Sequence, residues 1–198
     1  RLAENFTPLA IGGSGTFDAP LVFAGYGITA KDLKAGDRTL TYDDYAGVDA
    51  KGKVVIVIRK EPQQKDPHSP FDGTRNSFHA TFQQKVANAS EHGAAAVILV
   101  NDSQELATRR EEGTKALKAA LDELAELRTK LSASADEKLA EQIAKAASTA
   151  TEVSRGLQNA DALLPFSGAG ESSRRREMPV YFATRATIDP VLKAALGK

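Results

Sequence analysis

Lys53-Val54-Val55-Ile56-Val57-Ile58-Arg59, followed after a loop and a helical stretch by Ala95-Ala96-Val97-Ile98-Leu99-Val100, decides the fold of this chain. Both runs are continuously apolar and rich in β-branched residues, the pattern of strands covered on both faces. Gly52 and Pro62 bound the first, and Asn101-Asp102 closes the second. Between them Phe78, Phe82, Val86 and Ala89 step by four, four and three, which predicts an amphipathic helix ending at Gly93, a residue suited to a left-handed cap. Strand, helix and strand with short joints form a βαβ unit, normally a right-handed parallel crossover. Weaker strands are expected at Pro20 to Ala24 and Pro179 to Thr184.

Outward from this unit the texture changes twice. Residues 1–102 and 160–198 mix short apolar runs with Gly, Pro and Asp, whereas residues 103–159 are Ala, Leu, Glu and Lys with few turn residues. The middle zone predicts two helices. Leu117, Leu121, Leu124, Leu127 and Leu131 form one stripe, and Leu139, Ile143, Ala146, Ala150, Val153 and Leu157 form the other. Ser134 and Glu137 suit a capping box at the second start. The short joint implies an antiparallel hairpin with a coiled-coil-like seam. Gly113 is expected to weaken the early turns of the first helix. The middle zone is therefore expected to be an insertion into a domain made by the outer two.

Composition narrows the function. The 198 residues carry 26 Lys plus Arg against 26 Asp plus Glu, so the formal net charge is zero. Nucleic-acid binders usually carry a basic excess, and none is present. Absence of Cys excludes disulfides, thiolate metal sites and thiol nucleophiles. No stretch approaches the roughly 18–20 apolar residues of a membrane span. Arg1-Leu2-Ala3-Glu4-Asn5 is neither an initiator Met nor a secretory signal, so the chain is expected to be a piece of a larger protein.

Catalytic patterns are scarce. His68, His79 and His92 lack the i, i+4 spacing of a zinc helix and read as structural or solvated. Asp43-Asp44 reads as a turn or a helix cap before a carboxylate metal site. Gly12-Gly13-Ser14-Gly15 lacks the strand and helix of a dinucleotide loop and reads as a flexible linker. Arg174-Arg175-Arg176 reads as a solvated loop. Binding crevices of open α/β sheets lie outside the carboxyl ends of the strands. That rule directs attention to the loop from Pro62 to Ser77, and Phe71, Arg75, Asn76 and Phe78 are the candidate cleft- or partner-facing residues. No catalytic and no metal-binding residue is expected.

A set of segments recurs in a distinctive order: Leu21 to Ile28 around Gly25-Tyr26-Gly27, Tyr42-Asp43-Asp44-Tyr45-Ala46-Gly47-Val48-Asp49, and Lys51-Gly52-Lys53-Val54-Val55. Arg59 with Glu61-Pro62 follows, then Lys85-Val86, and then Ala89 with His92-Gly93-Ala94-Ala95-Ala96-Val97. Together with Met178 to Phe182 and Asp189 to Leu192, the set resembles the protease-associated (PA) domain of secreted di-zinc aminopeptidases, the group related to glutamate carboxypeptidase. The resemblance implies an α/β fold: a mixed-sheet core of the swivelling β/β/α type, here with the inserted antiparallel helical hairpin as a departure. It further implies a non-catalytic accessory role, shaping access to an active site in a separate peptidase domain of the same parent chain and contacting peptide or protein substrate. Zinc is then expected in that peptidase domain and no cofactor in this fragment. A secreted or periplasmic location, no nucleic-acid partner and no membrane span are expected. A stand-alone interaction module and the PA domain of a subtilisin-like serine protease are the alternatives.

Overall fold

A computed structural model describes residues 1–133, 137–170 and 178–196. Among the described residues are seven strands: β1 (Phe6–Pro8), β2 (Leu21–Phe23), β3 (Thr29–Ala35), β4 (Arg38–Asp43), β5 (Val54–Ile58), β6 (Ala96–Val100) and β7 (Val180–Ala183). The helices are α1 (Phe82–Glu91), α2 (Ser103–Ala133), α3 (Glu137–Gln158) and α4 (Arg185–Leu196). Ser134 and the Arg174 to Arg176 cluster lie outside the described residues. Two compact units divide the chain: Arg1–Asp102 with Leu163–Lys198, and Ser103–Ala162. Among the described residues no helix is long and apolar enough to cross a membrane.

The first unit is built on a five-stranded mixed sheet in the order β1-β7-β6-β5-β2. Strands β2, β5, β6 and β7 run parallel, and β1 is antiparallel to β7. The two apolar runs became the neighbours β5 and β6, paired from Val54↔Ala96 to Ile58↔Val100, with α1 as their crossover. Their alternate residues feed two cores. Val55, Val57, Val97, Leu99 and Phe182 pack with Val86 and Ala89 of α1, while Ile56, Val100 and Ala183 pack with Ile188 of α4. Burial on both faces is the physical reason the runs are apolar throughout.

Helix α1 starts later than its stripe suggested. Ser77 caps a separate 3-10 turn at Phe78–Ala80, and Thr81 then accepts from Gln84 N–H at 3.3 Å as the N-cap of the helix proper. Phe78 therefore leaves the apolar stripe and is 66% exposed. The glycine-rich segment is also more ordered than a linker. Gly13 N–H donates to Met178 O at 2.9 Å and Gly13 bridges Pro179, so this stretch runs along the entrance to β7.

A second, two-stranded sheet, β3 with β4, forms a hairpin whose core is Ile28, Ala30, Leu33 and Phe71.

The second unit is the hairpin of α2 and α3. Helix α2 runs unbroken through Gly113. A Cβ there would come within 2.6 Å of Leu157 Cδ2, so the missing side chain is what lets α3 approach. The α3 stripe is as the spacing predicts, with Ala146 and Ala150 buried at its centre. On α2 the buried positions are Leu106, Ala120 and Leu127, and Leu121 lies off the seam at 51% exposure. The stripe Leu117, Ala120, Leu124, Leu127 and Leu131 steps by three, four, three and four, a stricter heptad than one through Leu121.

Candidate functional site

The carboxyl ends of β2, β5 and β6 lie side by side in the sheet, and each releases polar residues at once: Gly25-Tyr26-Gly27, Arg59-Lys60-Glu61 and Asn101-Asp102. Direct bonds tie the three segments together. Tyr26 Oη donates to Asp102 Oδ2 at 2.6 Å, and an Arg59 guanidinium N–H donates to Asn101 Oδ1 at 2.8 Å. The Arg59 guanidinium also sits over the rings of Phe82 and Phe182, 5.3 and 5.7 Å from their centroids.

Helix α1 closes the cluster from its buried face. Lys85 is 0% exposed, and its Nζ donates to the carbonyl oxygen of Tyr26. One turn on, Asn88 Nδ2 donates to Gly27 O at 3.0 Å. Two side chains of one helix thus satisfy two carbonyls of a tight loop that could not otherwise be buried. The loop needs its glycines. Gly27 sits at φ +64°, and a Cβ there would stand 2.7 Å from Val57 Cγ1. Asp44, just past β4, supplies the acceptor: Oδ2 receives Tyr26 N–H at 3.1 Å and Ile28 N–H at 3.0 Å, and Oδ1 receives Tyr42 Oη at 2.8 Å. Glu61, 1% exposed, accepts from both the backbone N–H of Ser77, at 2.9 Å, and its hydroxyl.

Burial governs the electrostatics. Desolvation lowers Lys85 to about 7, against the opposing attraction of Asp44 and Glu61. Desolvation also raises the Asp44 carboxyl, although the Ile28 N–H, the Tyr42 hydroxyl and the Lys85 charge pull the other way. Tyr26 and Tyr42 are pushed above the ordinary phenol range by burial first, and then by their bonds to Asp102 and Asp44. A lysine so perturbed would invite a catalytic reading. Here its Nζ is sealed from solvent and aimed at the Tyr26 carbonyl, so it positions a loop.

The residues singled out from sequence divide. Phe71 is 3% exposed and packs edge-to-face on Tyr42 with ring centroids 5.2 Å apart, so it belongs to the core of the β3–β4 hairpin. Arg75, Asn76 and Phe78 are exposed, and Asn76 Oδ1 accepts from Lys60 Nζ at 3.3 Å. His92 stacks on Tyr45 with centroids 4.2 Å apart, and exposed His68 donates its backbone N–H to Asp66 Oδ1 at 2.8 Å. Asp43 ends β4 and accepts from Tyr45 N–H at 3.0 Å, a turn-forming role. Among the described residues no group of three or more His, Asp or Glu side chains gathers to hold a metal ion. Sequence reasoning assigned no individual role to Lys85, Asn88 or Glu61, and it read Asp44, with Asp43, as a turn or a helix cap. A signal was available for Lys85: it falls between Phe82 and Ala89 on the buried stripe of an amphipathic helix, where a lysine must find an acceptor.

Comparison with curated proteins finds no match, and neither does comparison with solved structures. The family model of the PA domain does match, over residues 17–126. That span takes in β2 to β6, the polar cluster and the first part of α2, more than half of the chain. The chain belongs to the PA domain family.

Proposed function

We propose that the chain is the non-catalytic accessory module of a secreted or periplasmic zinc-dependent aminopeptidase, where it shapes access to the active site and contacts peptide substrate. The observation that carries this reading is how the buried polar groups are used. Lys85, Asp44, Glu61 and Tyr26 are committed to one another and to backbone, inside a domain whose family accompanies proteases. Such an arrangement supports a rigid edge and leaves chemistry to another domain. Arg75, Asn76 and Phe78 form the exposed rim next to that edge and are the substrate-contacting residues of the proposal. Residues 103–159 are, in this reading, an insertion in the module, which the compact unit Ser103–Ala162 supports.

The test is a kinetic comparison in the protein that carries the chain. Arg75→Ala and Phe78→Ala should raise KM for an extended peptide severalfold and leave kcat and the hydrolysis of a single aminoacyl-nitroanilide unchanged. Equal kinetics on both substrates would remove the cleft-facing role.

A further inference from the structure

The five-stranded sheet ends on β1 at one side and β2 at the other, and the two edges are finished differently. At β1 the chain folds back on itself: Leu2 bridges Phe6, and Ala3 N–H donates to Phe6 O at 2.9 Å. At β2 nothing comparable happens among the described residues. Pro20 O accepts from Val54 N–H at 2.9 Å and Ala24 N–H donates to Ile56 O at 3.1 Å, so even-numbered residues turn their backbone groups toward β5. Alternation along the ladder then aims the N–H and C=O of Leu21 and Phe23 out of the sheet. Strand β2 pairs with β5 alone, and no bond from another described residue reaches these four groups.

The side chains agree with the backbone. Leu21 and Phe23 are 46% and 44% exposed and stand on the same face of the strand. Natural edges are usually blunted by charge, and no charged residue occurs from Ala19 to Ile28. The open stretch is bounded by Pro20, which has no N–H, and by Gly25, whose φ of +46° turns the chain away.

We propose that the β2 edge is a docking site for an extended peptide, which adds as a sixth, antiparallel strand beside Leu21–Phe23 and lays two apolar side chains against Leu21 and Phe23. Two donors and two acceptors, repeating every second residue, match the main chain of an extended segment and no helix. A second copy of this chain fits less well. Three residues of edge fall far short of the roughly 800 Å² per partner that a stable interface buries. The site takes a short segment, binds it weakly, and selects apolar residues at alternate positions. This inference does not depend on the aminopeptidase reading.

The probe is acetyl-Thr-Val-Thr-Val-Thr-amide, titrated into the ¹⁵N-labelled 198-residue chain. Saturable shifts at the Leu21 and Phe23 amides, with slowed hydrogen exchange at both, are expected. N-methylation of both valines, whose N–H groups would face the edge, should weaken binding about tenfold or more. N-methylation of the central threonine, whose N–H faces away, should change it little. Leu21→Pro removes one outward donor without touching the β5 ladder and should weaken binding about fivefold. If that variant fails to fold, the methylated peptides still decide the matter. Absence of saturable shifts at millimolar peptide would overturn the proposal. So would equal binding of the valine-methylated peptide, or concentration-dependent shifts at the same amides without peptide, which would mark a second copy as the occupant.

Discussion

Lys85 and Tyr26 lie 59 residues apart in sequence, yet the buried Nζ of the first donates to the carbonyl oxygen of the second. That bond joins α1 to the loop leaving β2, and the Tyr26 phenol carries the connection on to Asp102 at the end of β6. The groups facing Lys85 are Asp44 and Glu61 as charges and the Tyr26 ring, whose centroid is 5.6 Å from Nζ.

Stability should follow the titration of this lysine. Its folded-state value, about 7, lies below the ordinary 10.5, so between these limits the unfolded chain binds more protons and stability rises with pH. Below pH 7 both states are charged and the desolvation penalty is fully present. The gain across the window should be on the order of 5 kcal/mol. Above pH 10 the trend reverses, because Tyr26, Tyr42 and Tyr45 are raised and the unfolded phenols ionise first. Urea unfolding at pH 6, 8, 9.5 and 11 should trace a rise and then a fall, and Lys85→Met should flatten the rise. A wild-type profile that declines from pH 7 to 9.5 would contradict the assignment.

Tyr26→Phe removes one hydrogen bond to a nearly buried carboxylate and nothing else. It should cost about 1–3 kcal/mol, read as a lower denaturation midpoint with an unchanged urea slope. No change in midpoint would mean the phenol contributes nothing to holding the edge together.

Gly27→Ala and Gly36→Ala share a left-handed backbone, at φ +64° and +61°, but differ in surroundings. At Gly36 nothing lies within 4 Å of an added Cβ, so only the backbone term of about 1–2 kcal/mol applies. At Gly27 the clash with Val57 adds about 1–3 kcal/mol. Thermal melts should rank Gly27→Ala well below Gly36→Ala, and equal melting temperatures would refute the close approach.

The hairpin seam gives a similar contrast. Leu127→Asp places a carboxylate at an 8% exposed position and should cost several kcal/mol on the order expected for an unpaired buried charge. Leu121→Asp, at 51% exposure, should be nearly silent. Replacing Glu105 to Gln158 by a short Gly/Ser linker should leave the first unit cooperatively folded, since closure cost changes slowly with loop length. Loss of dispersed methyl signals in that deletion would make the hairpin part of the main core.

What could be read in advance follows from the physics of each segment. Strands β5 and β6 announced themselves because both their faces are buried, and the α3 stripe because one face is. The β3–β4 hairpin was silent: Thr29–Ala35 and Arg38–Asp43 are largely polar and exposed, with Lys31, Asp32, Lys34 and Arg38 interrupting any alternation. Phe71 was misleading because an aromatic in a long polar loop suggests a surface role, and only the unanticipated hairpin supplies its core. The polar cluster was hidden for another reason. Its members come from six separated segments, and hydrogen bonds between distant residues leave no periodic trace.

The claim that this PA domain supports chemistry without performing it is tested most directly by assaying the pure 198-residue chain on a panel of aminoacyl-nitroanilides, with added zinc and with chelator. The account predicts no release above the protein-free rate in either condition. Saturable, zinc-dependent release that disappears with chelator would contradict it.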